Sequence, residues 1–228
     1  MTELANARIL LVGASGGLGS AIARELAARG ARLALSGRSA ARLEAVGVDS
    51  AEFVLADLRD PGVAEQIVAR AEEQMNGLDG VVYAAGVVAF GAIGDVDDDD
   101  VDELLLLNYL APARITRAAL PRLGKGGFVL NMSAVVAEQP TLKMAAYSAA
   151  KAALTAFDQV ALLEARPKGI RVIDARPPHT ETGLAGRPIA GHAPKLPPGL
   201  EADAVARRIV DAIAGRETDL PTAAFGKG

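Results

Sequence analysis

The fold is decided by the stretch Arg8-Ile9-Leu10-Leu11-Val12-Gly13-Ala14-Ser15-Gly16-Gly17-Leu18-Gly19. Its first five residues are mostly apolar, its last seven include four glycines, and an amphipathic pattern continues to Arg29. This order predicts a buried strand, a tight turn and a helix that ends at Gly30. Because the rest of the chain repeats the order of strand and helix, this first unit sets the pattern of the fold.

Short apolar runs alternate with amphipathic stretches almost from end to end. The predicted strands cover residues 8–13, 32–36, 53–55, 80–84, 127–132, 170–175 and 222–225. The predicted helices cover residues 18–29, 40–46, 62–74, 99–120, 145–165 and 202–214. The alternation favours right-handed crossovers and an α/β fold, a Rossmann-type doubly wound parallel sheet of about seven strands flanked by helices. We interpret residues 1–228 as a single domain with an irregular, proline-rich loop at about 177–199.

Composition excludes several classes of protein. The 228 residues include no cysteine and two histidines, which excludes a disulfide scaffold and a Cys-based zinc site and leaves little for any metal centre. The net charge of −4 makes nucleic acid an unlikely partner. The N-terminus lacks the pattern of a signal peptide, and the apolar stretch at 81–93 is too short to span a bilayer. We therefore expect a cytoplasmic protein that does not bind a membrane.

The glycine turn predicts an anion site. Glycines allow the tight bend and let a pyrophosphate approach the free N–H groups at the start of the helix. The spacing G-x-x-x-G-x-G is neither G-x-G-x-x-G nor the phosphate-binding G-x-x-x-x-G-K-[ST], because no lysine follows. A tight turn without any ligand is the alternative.

The end of the second predicted strand indicates which dinucleotide binds. An acidic residue there would bind the ribose hydroxyls of NAD, but the sequence has Ser36-Gly37-Arg38. A guanidinium suits a 2′-phosphate, so we expect NADP(H) to be favoured over NAD(H), the alternative being a solvated arginine. Asp57, followed by Leu58, either accepts a hydrogen bond from the adenine amino group or only forms a turn.

Tyr147 and Lys151 are spaced i, i+4 on a predicted helix and so share a face. A phenol is a poor acid or base at neutral pH because its pKa is about 10. A neighbouring ammonium favours the phenolate and makes the phenol usable for proton transfer. Taken alone, the pair is also compatible with an exposed aromatic side chain and a solvated amine.

Together these features resemble the short-chain dehydrogenase/reductase family over essentially the whole chain. The matching stretches, in order, are Gly13 to Gly19, Tyr83-Ala84-Ala85-Gly86, Leu107-Asn108-Tyr109, Asn131-Met132-Ser133-Ala134, Tyr147-Ser148-Ala149-Ala150-Lys151, and Pro177 to Thr182. The resemblance implies an NAD(P)H-dependent oxidoreductase that interconverts a carbonyl and a secondary alcohol by hydride transfer. It also implies a homodimer or a homotetramer.

The resemblance assigns roles to individual residues. Tyr147 is the general acid/base, Lys151 binds the nicotinamide ribose and lowers the pKa of Tyr147, and Asn108 holds a water in a proton relay. Ser133 is assigned to the substrate oxygen. The implied cofactor-binding residues are Gly13, Ser15, Gly16, Gly17, Leu18, Gly19, Arg38, Asp57, Leu58, Ala84, Ala85, Gly86, Tyr147, Lys151, Pro177 and Thr182. No residue is assigned to a metal.

The sequence departs from the family pattern at three places. The family's serine lies thirteen residues before the tyrosine, where this chain has Ala134. Neighbouring side chains of an extended segment face opposite sides, so Ser133 takes that role only if a bulge turns it. The family's Asn-Asn-Ala-Gly becomes Tyr83 to Gly86, and Pro178 replaces a glycine. These departures motivate an alternative function, a dinucleotide-binding regulatory or scaffold protein with little turnover.

Overall fold

A computed structural model describes residues 2–226 of the chain. The strands in that range are β1 (Arg8–Val12), β2 (Arg32–Gly37), β3 (Glu52–Leu55), β4 (Gly80–Tyr83), β5 (Phe128–Met132), β6 (Arg171–Ala175), β7 (Thr180–Glu181), β8 (Leu200–Glu201) and β9 (Asp219–Leu220). The α-helices are α1 (Gly17–Ala28), α2 (Ala40–Glu44), α3 (Val63–Met75), α4 (Asp98–Leu105), α5 (Ala111–Ala119), α6 (Ala145–Ala165) and α7 (Ala202–Ala214). A π-helical segment, Leu106–Leu110, joins α4 to α5.

Seven strands form one parallel sheet in the order β3-β2-β1-β4-β5-β6-β9. The order reverses between β1 and β4, which pair directly, with Val12 opposite Tyr83. In doubly wound sheets, ligands bind beyond the carboxyl ends of the strands at this reversal. The predicted Rossmann-type fold with about seven strands is confirmed, and it places the expected site beside the glycine turn.

The sheet is buried on both faces by helices. The pleat of β1 sends Ile9 and Leu11 into one core, with α1 and α7, and Leu10 and Val12 into the other, with α3, α5 and α6. All four side chains are almost completely buried. Two-sided burial explains why β1 reads as a continuous apolar run instead of an alternating one.

Two predicted elements differ from the structure. The strand predicted at 222–225 is wrong, because Thr222–Phe225 forms a turn of 3₁₀ helix and the seventh strand of the sheet is Asp219–Leu220. The helix predicted at 99–120 begins at Asp98 and is interrupted by the π-helical segment. Pro112 follows that interruption at the start of α5, where its missing N–H costs little.

The proline-rich segment at 177–199 is irregular, as expected, except for a short pairing of β7 with β8. The predicted domain bounds at residues 1 and 228 lie outside the described residues. No helix within residues 2–226 is long and apolar enough to cross a membrane.

Candidate active site

A cavity of about 620 Å³ lies at the carboxyl ends of the central strands. It runs from the glycine turn and Arg38 at one end to Tyr147 and the loop after β6 at the other. The predicted site residues that line it are Gly13, Ser15, Gly16, Gly17, Leu18, Arg38, Asp57, Leu58, Ala84, Ala85, Gly86, Asn108, Ser133, Tyr147, Lys151, Pro177 and Thr182. Gly19 lies behind this surface, in α1. The structure therefore brings the separated sequence motifs to one place.

Close backbone contacts explain most of the glycines in the turn. Gly13 has φ +81°, and a Cβ there would lie 2.5 Å from the amide nitrogen of Ala85. A Cβ on Gly17 would lie 2.5 Å from the carbonyl oxygen of Thr182, and one on Gly19 would overlap the carbonyl of Gly13. Gly16 differs, because its Cβ would meet no described atom closer than 3.3 Å. Of these four glycines, Gly16 is thus the one at which a side chain would meet the fewest close contacts.

The start of α1 is open to an anion. Gly16 is its N-cap, no side chain caps the helix, and its first turn holds no acidic residue. The first N–H groups of a helix have no partner within it, and the helix dipole favours negative charge there. The N-terminus of α1 therefore presents unused donors to the cavity.

Arginines dominate the end of the cavity beyond β2 and β3. Arg38 has no ion-pair partner among residues 2–226, whereas Arg59 pairs with both Asp57 and Glu103. Although burial opposes the effect, hydrogen bonds from Arg59 hold the pKa of Asp57 below its usual value. Arg42, on α2, donates to the carbonyl oxygen of Ser15 at 3.2 Å and also lines this end. Sequence analysis missed Arg42, whose only signal is its position four residues after Arg38.

Asn108 lies in the π-helical segment with one side-chain atom unused. Its Nδ2 donates to the carbonyl oxygens of Val87 and Leu104, each at 3.0 Å. Its Oδ1 is buried and accepts no hydrogen bond from any described residue. Tyr83, buried under the segment, donates to the carbonyl oxygen of Leu107 at 2.7 Å and helps to hold it in place. A buried, unused acceptor that faces the cavity suits a bound water.

Tyr147 and Lys151 are both buried at the far end of the cavity. Nζ of Lys151 donates to the carbonyl oxygen of Met132 at 2.7 Å and lies 5.9 Å from the centroid of the Tyr147 ring. Burial raises the pKa of Tyr147 to about 12. The phenol is therefore protonated near neutral pH. That Lys151 lowers this pKa stays a prediction.

Ser133 lines the cavity, but its hydroxyl is hydrogen-bonded within the chain. Its Oγ donates to the carbonyl oxygen of Lys151 at 2.9 Å and accepts from Oγ1 of Thr155 at 3.0 Å, so both contacts face α6. Ala134, in contrast, packs in the apolar cluster that contains Tyr147. Ala134 has an extended backbone, and neighbouring side chains of an extended segment face opposite sides. The residue thirteen positions before Tyr147, Ala134, thus supplies no hydroxyl.

Two buried carboxyl groups, missed by sequence analysis, lie behind Lys151. Asp158, two turns further along α6, accepts from Nδ2 of Asn131 at 2.6 Å. Asp174, on β6, pairs with Arg176. Burial lowers the pKa of Lys151 to about 8, and the charges of Asp174 and Asp158 oppose that decrease. An aspartate on the apolar face of a helix, seven residues after Lys151, was the available signal.

Comparisons with known proteins identify the family. The model of the short chain dehydrogenase family matches residues 7–190. An uncharacterized oxidoreductase of Methylorubrum extorquens is 33% identical over 199 residues, which cover 82% of this chain and 80% of the relative. The crystal structure of a short chain dehydrogenase from Burkholderia cenocepacia in complex with NADP is 31% identical, covers 97% of both chains and superposes with a TM-score of 0.87. A dehydrogenase/reductase from Sinorhizobium meliloti is 28% identical, with a TM-score of 0.84.

The buried carboxyl of Asp158 predicts a pH-dependent stability difference. Burial raises its pKa well above the usual value, so the folded chain keeps the proton after the unfolded chain has lost it. The stability that this provides is complete below an unfolded pKa of about 3.9 and is lost as the pH rises through the folded pKa. An asparagine in this position cannot ionise and still accepts from Asn131.

We expect Asp158→Asn to raise the melting temperature by at least about 2 °C at alkaline pH, with a difference that shrinks toward acidic pH. Thermal unfolding between pH 5 and 9 measures this effect. Glu164→Gln, at an exposed position of the same helix, is the control and should leave the melting temperature unchanged. If Asp158→Asn is less stable than the wild type at every pH, the carboxyl is ionised and stabilising, which contradicts the prediction.

Proposed function

The chain belongs to the short-chain dehydrogenase family, and we propose that within this family of oxidoreductases it uses NADPH to reduce a carbonyl to a secondary alcohol. The observation that carries the proposal is the buried, protonated phenol of Tyr147 beside the Lys151 ammonium. Both lie at the end of a cavity that begins at an open helix N-terminus. The cavity therefore joins a proton donor to a site for an anionic cofactor.

The residues present fit a dinucleotide phosphate. The N-terminus of α1 offers unused N–H donors to a pyrophosphate, and Gly16 leaves space for its approach. Arg38 and Arg42 line the end of the cavity where a 2′-phosphate would bind, and Asp57 there is paired with Arg59. This arrangement supports the preference for NADP(H) over NAD(H). The Burkholderia relative, whose crystal contains NADP, is similar over nearly its whole length.

The chain's own residues manage the proton. When bound, NADPH supplies the hydride that reduces the carbonyl carbon. Tyr147 donates its proton to the carbonyl oxygen, and the phenolate that remains is stabilised by the nearby ammonium of Lys151. A water on the free Oδ1 of Asn108 provides the route by which Tyr147 regains a proton. Ser133 has no part in this scheme, because its hydroxyl is bonded to α6.

One observation favours the alternative function of a binding or scaffold protein with little turnover. Ala134 stands where the substrate oxygen would otherwise receive a second hydrogen bond, so Tyr147 alone holds it. Removing one donor to a developing oxyanion costs about 10²–10³ in rate in well-studied enzymes. Turnover by the wild type decides between the two functions.

Self-association and cellular location stay predictions. Val160 and Leu163 are large apolar side chains exposed on α6, and Leu110 is exposed where the π-helical segment meets α5. These residues support the proposal of a homodimer or homotetramer formed through the two long helices. A cytoplasmic location likewise stays a prediction from the sequence.

Replacement of Tyr147 tests the proposed mechanism. We expect Tyr147→Phe to lower kcat for reduction of a ketone by at least about 10²-fold, because the proton donor is lost. The Kd for NADPH should stay within about threefold, since the ring that lines the cavity remains. NADPH oxidation at 340 nm and a fluorescence titration measure the two quantities.

Ala134→Ser is the matched comparison for Tyr147→Phe. If wild type turns over slowly and Ala134→Ser gains at least about 10²-fold, the low-turnover alternative is correct for the natural chain. Ready turnover by the wild type excludes that alternative. Equal kcat values for wild type and Tyr147→Phe would contradict the assignment of Tyr147.

The cofactor preference predicts a selective effect at Arg38. A charge-assisted hydrogen bond contributes about 1.5–3 kcal/mol, so Arg38→Ala should weaken NADPH binding by about 10- to 100-fold. Binding of NADH should change less than about twofold. Arg32→Ala, at the exposed opposite end of β2, controls for the change in net charge. Equal wild-type affinities for NADPH and NADH would contradict the role of Arg38.

A further inference from the structure

We propose that the substrate of this site is an uncharged ketone or aldehyde with an apolar carbon skeleton, which binds in the part of the cavity beyond Tyr147. This inference rests on the proposed function and names its substrate class. Four features carry it: the apolar wall, the placement of the charged groups, the fixed loop, and the single donor beside the reacting oxygen.

The wall around Tyr147 is almost wholly apolar. Its buried members share one cluster with Tyr147, and the partly buried members close that cluster from the loop side. The apolar residues that both belong to this cluster and line the cavity are Val87, Val88, Phe90, Ala134, Val135, Val136, Met144, Leu184, Ala185 and Ile189. We call this set the apolar wall. Alkyl and aryl groups gain free energy by leaving water for such a surface.

The charged side chains that line the cavity near the apolar wall make contacts within the chain. Arg187 lines the cavity, but its guanidinium donates to the carbonyl oxygens of Gly183 at 3.0 Å and Thr182 at 3.4 Å. The Thr182 carbonyl lies against Gly17, on the side of the glycine turn. The acidic residue of the lining within residues 2–226 is Asp57, which lies with Arg59 at the opposite end. His179 also lines the cavity, and its Nε2 lies 3.5 Å from a carboxylate oxygen of Glu181. A carboxylate on the substrate would therefore meet the apolar wall, and Arg187 or His179 would have to leave these contacts to pair with it.

The loop after β7, which contributes Leu184, Ala185 and Ile189 to the apolar wall, is held in place by backbone contacts. The amide of Ile189 donates to the carbonyl of Val88 at 2.9 Å, and the amide of Phe90 donates to the carbonyl of Ala190 at 3.0 Å. Gly191 follows with φ +68°, and any Cβ there would overlap the carbonyl of Phe90. Because these contacts are formed within the chain, the apolar wall is pre-organised and does not have to be ordered by a substrate.

Hydrogen-bonding capacity near the reacting oxygen is also small. Ala134 supplies no hydroxyl, and Ser133 is bonded to Lys151 and Thr155. Nζ of Lys151 already donates to the carbonyl of Met132. The Tyr147 hydroxyl is thus the donor that these residues leave for a single carbonyl oxygen.

Two ketones of almost equal shape test the charge requirement: 4-isopropylacetophenone and 4-acetylbenzoate. With the protein saturated with NADPH, we expect kcat/KM to be at least 100-fold higher for the isopropyl compound. Met144→Lys places a cation in the apolar wall near the start of α6 and should lower this ratio at least tenfold. Met144→Gln has similar length without charge and should lower it less than threefold.

The outcomes separate the substrate class from the proposed function. A carboxylated ketone that reacts as well as the neutral one overturns the substrate class and leaves the reductase function intact. If neither ketone oxidises NADPH, the reductase function fails. Calorimetry of the two corresponding alcohols with NADP⁺-loaded protein then tests whether the apolar wall prefers an uncharged ligand. At least tenfold tighter binding of the neutral alcohol supports it, and equal binding overturns it. If Met144→Lys does not fold, the wild-type ratio alone decides.

Discussion

The close approach of the glycine turn to two other chain segments is the constraint on which the site depends. Gly13 lies against Ala85 after β4, and Gly17 lies against Thr182 after β6. A side chain at either glycine would push these segments apart. Because these segments meet, the N-terminus of α1, the end of β4 and the loop after β6 enclose a single cavity. Its glycine-turn end is therefore continuous with its Tyr147 end.

Burial then sets the chemistry at the far end of the cavity. It raises the pKa of the Tyr147 phenol to about 12 and lowers that of the Lys151 ammonium to about 8. Asp158 and Asp174 oppose the second effect from behind Lys151. A buried aspartate is costly for stability unless it is partnered, and here Asn131 and Arg176 supply the contacts. The same buried polar residues thus affect both the stability of the fold and the pKa of Lys151.

Sequence reasoning predicted the architecture because its signals are local. The apolar run of β1 and the glycines after it depend on backbone geometry and burial, which leave a pattern in neighbouring residues. The strand predicted at 222–225 was wrong because the seventh strand, Asp219–Leu220, has only two residues and is defined by its pairing with β6. The π-helical segment was not foreseen, since Tyr83 and Val87, which contact it, are distant in sequence.

The candidate site was only partly predictable for the same reason. The motifs placed Tyr147, Lys151 and Asn108 in one cavity, but the direction of the Ser133 side chain depends on its contact with Thr155 across the α6 interface. The pKa of Tyr147 depends on burial by the apolar wall, to which four separate segments contribute. Such tertiary contacts leave no regular spacing in the sequence.

The central claim is that hydride passes from NADPH to a carbonyl carbon in the cavity that ends at Tyr147. The most direct measurement uses NADPH with deuterium at both C4 positions, a neutral ketone, and mass spectrometry of the alcohol formed. We predict one deuterium on the carbinol carbon of essentially every product molecule. Alcohol without deuterium, or no alcohol from folded protein that binds NADPH, would contradict the account.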